Sequence, residues 1–256
     1  MLTSILVPRD LSAGEQQDLT HFLNQRDSFT ALNPRGNETQ VWARDNGALV
    51  FKVFAMRRLK QRWRARWKHE CPVHGKRHGW AERANAERFQ ALGLPGLQVR
   101  AYLEKRSPLL CDQQIVAYPY LRQFRTLHQR LDTRPFEALD AVEPVILRLA
   151  QAGVFHLDLN TRNIMLDDQG DVRIIDFEYM AWEQSHTAEL YSYCLGYLFQ
   201  KWAREFVDET SFDQWAHDAL ERRVALLDAA PQALLASYQL GKHVELSRTQ
   251  RYRMFA

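Results

Sequence analysis

The chain has 256 residues, 46% hydrophobic and 25% charged, with a formal net charge of +3. That length can bury a sizeable core, and the composition excludes a disordered or disulfide-stapled chain. Cys71, Cys111 and Cys194 are odd in number and widely spaced, so a reducing compartment is expected. No long apolar h-region opens the sequence, and no uncharged apolar run reaches about 18 residues, so a cytoplasmic protein without a membrane span is expected.

Leu11–Leu23 has helical spacing. A turn cluster, Asn33-Pro34-Arg35-Gly36-Asn37, precedes a strand at Thr39–Ala43, and Asp45-Asn46-Gly47 is a strong hairpin signal. Ala48–Phe54 reads as a buried strand with one charged residue, Lys52. Residues 56–80 form a basic insert, with no acidic residue until Glu70. Trp80–Leu92 reads as a helix that Gly93-Leu94-Pro95-Gly96 ends, and strands are expected at Leu97–Leu103 and Gln114–Tyr120. From Phe124 the pattern is mainly helical: Thr126–Leu131, Pro135–Gln151, Thr187–Phe206 and Phe212–Leu227. Short β-like pieces interrupt it around Val154–Phe155, Ile164–Leu166 and Val172–Ile175. The expected fold class is α+β, one domain in two lobes. The first, 1–121, is β-rich; the second, 122–256, is mainly helical, and they meet near Pro119–Gln123.

The chemistry concentrates in His156-Leu157-Asp158-Leu159-Asn160-Thr161-Arg162-Asn163, followed by Ile174-Ile175-Asp176-Phe177-Glu178. These segments resemble the catalytic loop and metal motif of kinases, His-x-Asp-Leu-x-x-x-x-Asn and Asp-Phe-Gly. Phosphoryl transfer needs positioning and charge neutralisation more than covalent help. Asp158 is then the base beside the acceptor hydroxyl, while Asn163 and Asp176 are oxygen ligands for Mg²⁺. His156 is read as structural. A lysine inside an apolar strand needs a partner; in the kinase pattern Lys52 contacts ATP phosphates and pairs with a helix glutamate. Glu87 is the expected partner, with Glu82 as the alternate. Ile115–Leu121 is the expected hinge holding adenine. The phosphate loop is thin, since Gly36 is the single glycine between Asn33 and Asn46. Leu157 before the base, Asn160 in place of the protein-kinase lysine, Glu178 in place of glycine, and no recognisable Ala-Pro-Glu motif all favour a small acceptor.

The chain from about 45 to 185 is similar to bacterial lipopolysaccharide core kinases, which phosphorylate Kdo or heptose. The segments Gly153–Asn160, Asn163–Asp167, Ile174–Phe177, Lys52-Val53-Phe54 and Asn85–Pro95 carry the likeness. The resemblance implies ATP and Mg²⁺ as cofactors, a Gram-negative source, and a lipid-linked sugar acceptor at the cytoplasmic face of the inner membrane. Residues 57–68 fit that setting: Met56, Leu59, Trp63 and Trp67 fall on one helical face among arginines and lysines, as at an anionic membrane surface. The plainer reading is a solvated helix whose tryptophans pack onto the first lobe. Nucleic acid is set aside because the kinase motifs already account for the chain. His69, Cys71, His74 and His78 match no strong zinc spacing and read as a loop. A protein or antibiotic kinase and an inactive binding module are the competing classes; Lys52, Asp158, Asn163 and Asp176 are all present, which speaks against the last.

Overall fold

The structure is a computed structural model that describes residues 2–6, 10–33, 39–67, 78–201 and 203–255, the first five by backbone alone. The turn at Pro34–Asn37 and the His69, Cys71 and His74 stretch lie outside the described residues. The chain forms two compact units: one runs to Ala91 and includes Leu97–Leu121, and the other joins Leu92–Gly96 to everything from Arg122 onward. No helix among the described residues is long and apolar enough to cross a membrane.

The first unit contains β1 (Leu2–Leu6), α1 (Ala13–Asn24), β2 (Thr30–Ala31), β3 (Thr39–Ala43), β4 (Leu49–Ala55), α2 (Leu59–Trp67), α3 (His78–Ala91), β5 (Ala101–Arg106) and β6 (Cys111–Pro119). The strands make an antiparallel sheet in the order β1-β5-β6-β4-β3-β2. The two-residue period of β4 sorts its side chains. Leu49, Phe51 and Val53 join Leu19, Phe22 and Phe29 in one core, where the Phe22 and Phe51 rings stack with centroids 4.0 Å apart. Lys52 and Phe54 go to the other face. At the β3–β4 turn, buried Asp18 accepts the backbone N–H groups of Ala48 and Leu49 and pairs with Arg44. A Cβ on Gly47 would stand 2.8 Å from the Asp18 carboxylate, so this turn needs glycine for the close approach.

The strand expected at Leu97–Leu103 begins only at Ala101 and runs to Arg106, although Arg100 just before it still donates its backbone N–H to the Ala117 carbonyl at 2.9 Å. Arg100 Nε and Nη2 donate to Glu15 at 2.7 and 3.0 Å. This pairing, led by the Arg100 hydrogen bonds, lowers the Glu15 pKa from 4.5 to about 2. A depressed carboxyl contributes its full stability above the unfolded value and loses it as pH falls through the folded one. The wild type should therefore lose up to about 3 kcal/mol between roughly pH 5 and 2 from this pair. Arg100→Met should be less stable at neutral pH and show a flatter acid limb in denaturant titrations. Parallel acid limbs for the two proteins would exclude the pair as the cause.

The second unit contains β7 (Arg125–Thr126), α4 (Leu127–Leu131), α5 (Pro135–Gln151), β8 (Phe155–His156), β9 (Ile164–Leu166), β10 (Val172–Ile174), β11 (Met180–Ala181), α6 (Thr187–Gln200), α7 (Glu209–Leu227), α8 (Pro231–His243) and α9 (Arg248–Met254). Leu92–Gly96 joins it through the Ile174 N–H to Pro95 carbonyl bond at 2.8 Å and Arg148 on the Gly93 carbonyl, also at 2.8 Å. The helix expected over Thr187–Phe206 stops at Gln200 and resumes as one 3₁₀ turn, Ala203–Glu205. The next begins at Glu209, where Asp208 caps it by accepting the Ser211 N–H.

Gly153 ends α5 with φ +64°: its N–H reaches the Ala150 carbonyl and that of Val154 the Leu149 carbonyl, the paired bonds of a glycine helix stop. Buried Glu143 of α5 accepts the Tyr191 hydroxyl of α6 and two N–H groups of Arg223 on α7, tying three helices together. α6 and α8 cross at two glycines. A Cβ on Gly196 would lie 2.1 Å from the Tyr238 carbonyl oxygen, and one on Gly241 2.2 Å from that of Tyr193.

Candidate active site

In the first unit, Lys52 sits opposite Val116 in the β4–β6 register. Its ammonium donates to Glu82 of α3 at 3.0 Å. The other Glu82 oxygen accepts the Tyr118 hydroxyl at 2.8 Å, so both oxygens are engaged, and the Glu82 side chain is only 1% exposed. Burial of this kind demands a partner, since removing one member of such a pair costs about 3–5 kcal/mol. The partner is thus Glu82, the alternate, and not Glu87. Gly79 packs under Gln114, which aims Gly79, Glu82, Ala86 and Phe89 at the sheet. Glu87 falls one position past that stripe and pairs with Arg83 on the exposed side of the same helix. Asn33 donates to the Thr39 carbonyl at 3.0 Å and accepts the Val41 N–H at 2.6 Å.

In the second unit, β8 pairs with β11 and delivers the chain into the loop at Leu157–Asn163. His156 is fully buried. Its Nδ1 accepts the Asp158 N–H at 3.3 Å, so Nε2 carries the proton and donates to the Ile175 carbonyl at 3.1 Å. Burial pushes its pKa below the ordinary imidazole value, against the pull of Asp176 and Asp158. A neutral imidazole thus joins the loop of Asp158 to the segment before Asp176. Asn163 strengthens the same junction: its Nδ2 donates to the Asp158 carbonyl at 2.9 Å, and its own carbonyl accepts the Ile175 N–H at 2.9 Å. The β9–β10 turn is set by Asp167, whose carboxylate accepts the N–H groups of Gln169 and Asp171. Asp158, Asn163, His156 and Asp176 are therefore brought into one hydrogen-bonded loop system.

Asp176 has φ +67°, a left-handed conformation that costs a non-glycine residue energy and persists where surroundings enforce it. One oxygen of Asp176 and one of buried Glu178 lie within 4.8 Å of each other. Two carboxylate oxygens this close form an oxygen donor pair that suits a hard divalent cation such as Mg²⁺. Glu178 is the donor that motif matching passes over, since the kinase pattern has glycine there. Its signal was the alternation of Asp176 and Glu178 either side of buried Phe177.

No family model and no curated protein matches the chain in sequence. Solved structures do. WaaP in complex with acyl carrier protein aligns over 93% of this chain and 98% of its own, at 13% identity and TM-score 0.53. WbdD, described as a bifunctional kinase-methyltransferase, aligns over 87% of this chain at 16% identity and TM-score 0.52. The fold is kinase-like. At such low identity the likeness concerns the fold alone. It bears out the α+β class, with an antiparallel sheet in the first part and helices in the second. A third structure, WbdD with a kinase inhibitor, aligns over 85% of this chain at 15% identity and TM-score 0.50. The chain spans about half of WbdD, 47% in the better match.

Proposed function

We propose that this chain transfers the terminal phosphoryl group of ATP to a hydroxyl of a lipopolysaccharide inner-core sugar, Kdo or heptose, in an Mg²⁺-dependent reaction. The observation that carries the reading is the His156–Asp158–Asn163–Ile175 network, which fixes a would-be base and its neighbouring oxygen donors in one rigid loop. Asp158 holds the acceptor hydroxyl and takes its proton as the oxygen attacks phosphorus, and ADP leaves. Lys52, held by Glu82, contacts the ATP phosphates. Backbone groups of Ile115–Leu121 hold adenine. Asn163, Asp176 and Glu178 would hold Mg²⁺, which supplies charge neutralisation on the phosphates. WbdD's kinase activity and the sequence resemblance support the reading. Incubating the purified chain with labelled ATP, Mg²⁺ and a panel of acceptors tests it. Label on inner-core oligosaccharide is expected; label on an aminoglycoside or a protein instead would overturn the acceptor.

The basic helix α2 supports a site of action at the cytoplasmic face of the inner membrane. Leu59 is 67% exposed and Trp63 and Trp67 are 47% and 48% exposed, so about half of each indole stays open while Trp67 Nε1 donates to the Leu109 carbonyl at 3.1 Å. Met56 differs: it precedes the helix and is buried. Arg62 is not spare charge either, because it pairs with Asp112 at 2.6 Å. Arg57, Arg58 and Lys60 are exposed and remain available to anionic lipid, each contributing about 1 kcal/mol near a charged surface. Arg57→Glu with Lys60→Glu should abolish sedimentation with anionic vesicles at low salt, and wild-type binding should weaken as salt rises. Equal binding to neutral vesicles would remove the electrostatic role. Capture by acyl carrier protein without vesicle binding would assign the counter-charge to a protein.

A further inference from the structure

The C-terminal helix α9 folds back onto the loop that carries Asp158. Ser247 caps it, accepting the Gln250 N–H, and Arg251 anchors it. That arginine is 5% exposed, and it donates to the Leu157 and Leu246 carbonyls at 2.7 Å each while lying 4.8 Å over the Tyr197 ring. Phe255 completes the anchor with edge contacts to Phe155 and Tyr193, centroids 5.8 and 5.4 Å apart.

One turn before Arg251 stands Arg248. Its guanidinium is 3.8 Å over the Tyr179 ring, which fixes its plane, and its Nη2 lies 3.4 Å from Asp158 Oδ2. The Arg248 side chain is 46% exposed. Such a long, exposed ion pair is weak. One of five N–H groups is engaged among the described residues, so the rest of the planar fork faces outward for a second anion.

Resting on the kinase reading above, we propose that Arg248 is an acceptor-specificity residue: it grips an anionic group, carboxylate or phosphate, that the acceptor carries beside its reacting hydroxyl. The stack on Tyr179 directs the fork, and the contact with Asp158 sets how near the reacting hydroxyl the anion sits. Position 160, where protein kinases have lysine, is asparagine, and its amide is spent on the Asp158 carbonyl at 3.1 Å. A cation beside the base therefore comes from the far end of the chain.

The test compares the full-length protein with Arg248→Gln and Arg248→Lys on the methyl glycoside of Kdo and on its neutral carboxamide, and on a heptose phosphate against the unphosphorylated heptose. The wild type should prefer the anionic member of one pair, and which pair shows the preference tells carboxylate from phosphate. In Arg248→Gln the KM for that member should rise about 10- to 100-fold, the scale of one charged hydrogen bond, and the preference should vanish. Arg248→Lys should restore part of it. Calorimetric titration of the same four sugars without phosphoryl transfer gives a second readout. If the wild type phosphorylates none of them, the kinase reading fails, while loss of anionic-sugar binding in Arg248→Gln still upholds the site. An unchanged preference, equal binding by wild type and variant, or an equal fall in kcat on both members of a pair overturns the proposal.

Discussion

Asp158→Asn is expected to lower phosphoryl transfer by about 10²-fold or more while leaving the protein folded. The carboxylate is 31% exposed and its contact with Arg248 at 3.4 Å is weak, so removing its charge takes little from stability. The loop's rigidity comes from other atoms: the His156 ring, the Asn163 amide and backbone groups. Asp176→Asn should be as damaging for a different reason, the loss of a carboxylate charge proposed to hold Mg²⁺. Asparagine is the right replacement because it tolerates the left-handed backbone at φ +67° nearly as well as aspartate does. Steady-state transfer, with circular dichroism of both variants, checks this. Near-normal turnover in either variant, with the fold intact, would remove that residue from the chemistry.

A large effect on stability is also expected at the α6–α8 crossing. Gly196→Ala would place a methyl group 2.1 Å from the Tyr238 carbonyl oxygen and 2.7 Å from the Lys242 nitrogen. Both atoms are backbone within a helix, so neither can turn aside and the helices must separate. Overpacking of this kind costs about 1–3 kcal/mol and more when backbone must move. Separation also loosens Tyr193 and Tyr197, which pack against Phe155, Phe255 and Arg251, so the loop carrying Asp158 should suffer with the fold. Gly14→Ala is the control: the nearest atom is 4.0 Å away, and alanine gains up to about 1 kcal/mol in a helix. Urea titration should give a lower midpoint for Gly196→Ala and an equal or higher one for Gly14→Ala. An unchanged midpoint in Gly196→Ala would mean the crossing is looser than the glycines imply.

Much of this site was legible in the sequence because its chemistry is local. Asp158 and Asn163 lie five residues apart, and the hydrogen bond between the Asn163 amide and the Asp158 carbonyl is what that interval permits. Lys52 was legible as a lone charge in an apolar strand. Its partner was not, because the choice between Glu82 and Glu87 depends on helix phase. The stripe Gly79, Glu82, Ala86, Phe89 held that information, and following it would have put Glu87 outside. Arg248 and Arg251 had no local signal at all: they reach Asp158 and Leu157 across 90 and 94 residues of chain, from a helix whose sequence is mostly polar. The Arg62 pairing had no local signal either, since Asp112 is 50 residues away.

The central claim, phosphoryl transfer to an inner-core sugar through the Asp158 loop, is tested most directly by the mass of lipopolysaccharide core from cells lacking the chain, re-supplied with wild type or with Asp158→Asn. Core from wild-type cells should carry one phosphate that both the deletion and the Asp158→Asn cells lack, and tandem fragmentation should place it on Kdo or heptose. Identical core masses in all three, with the variant present at the wild-type level, would contradict the account.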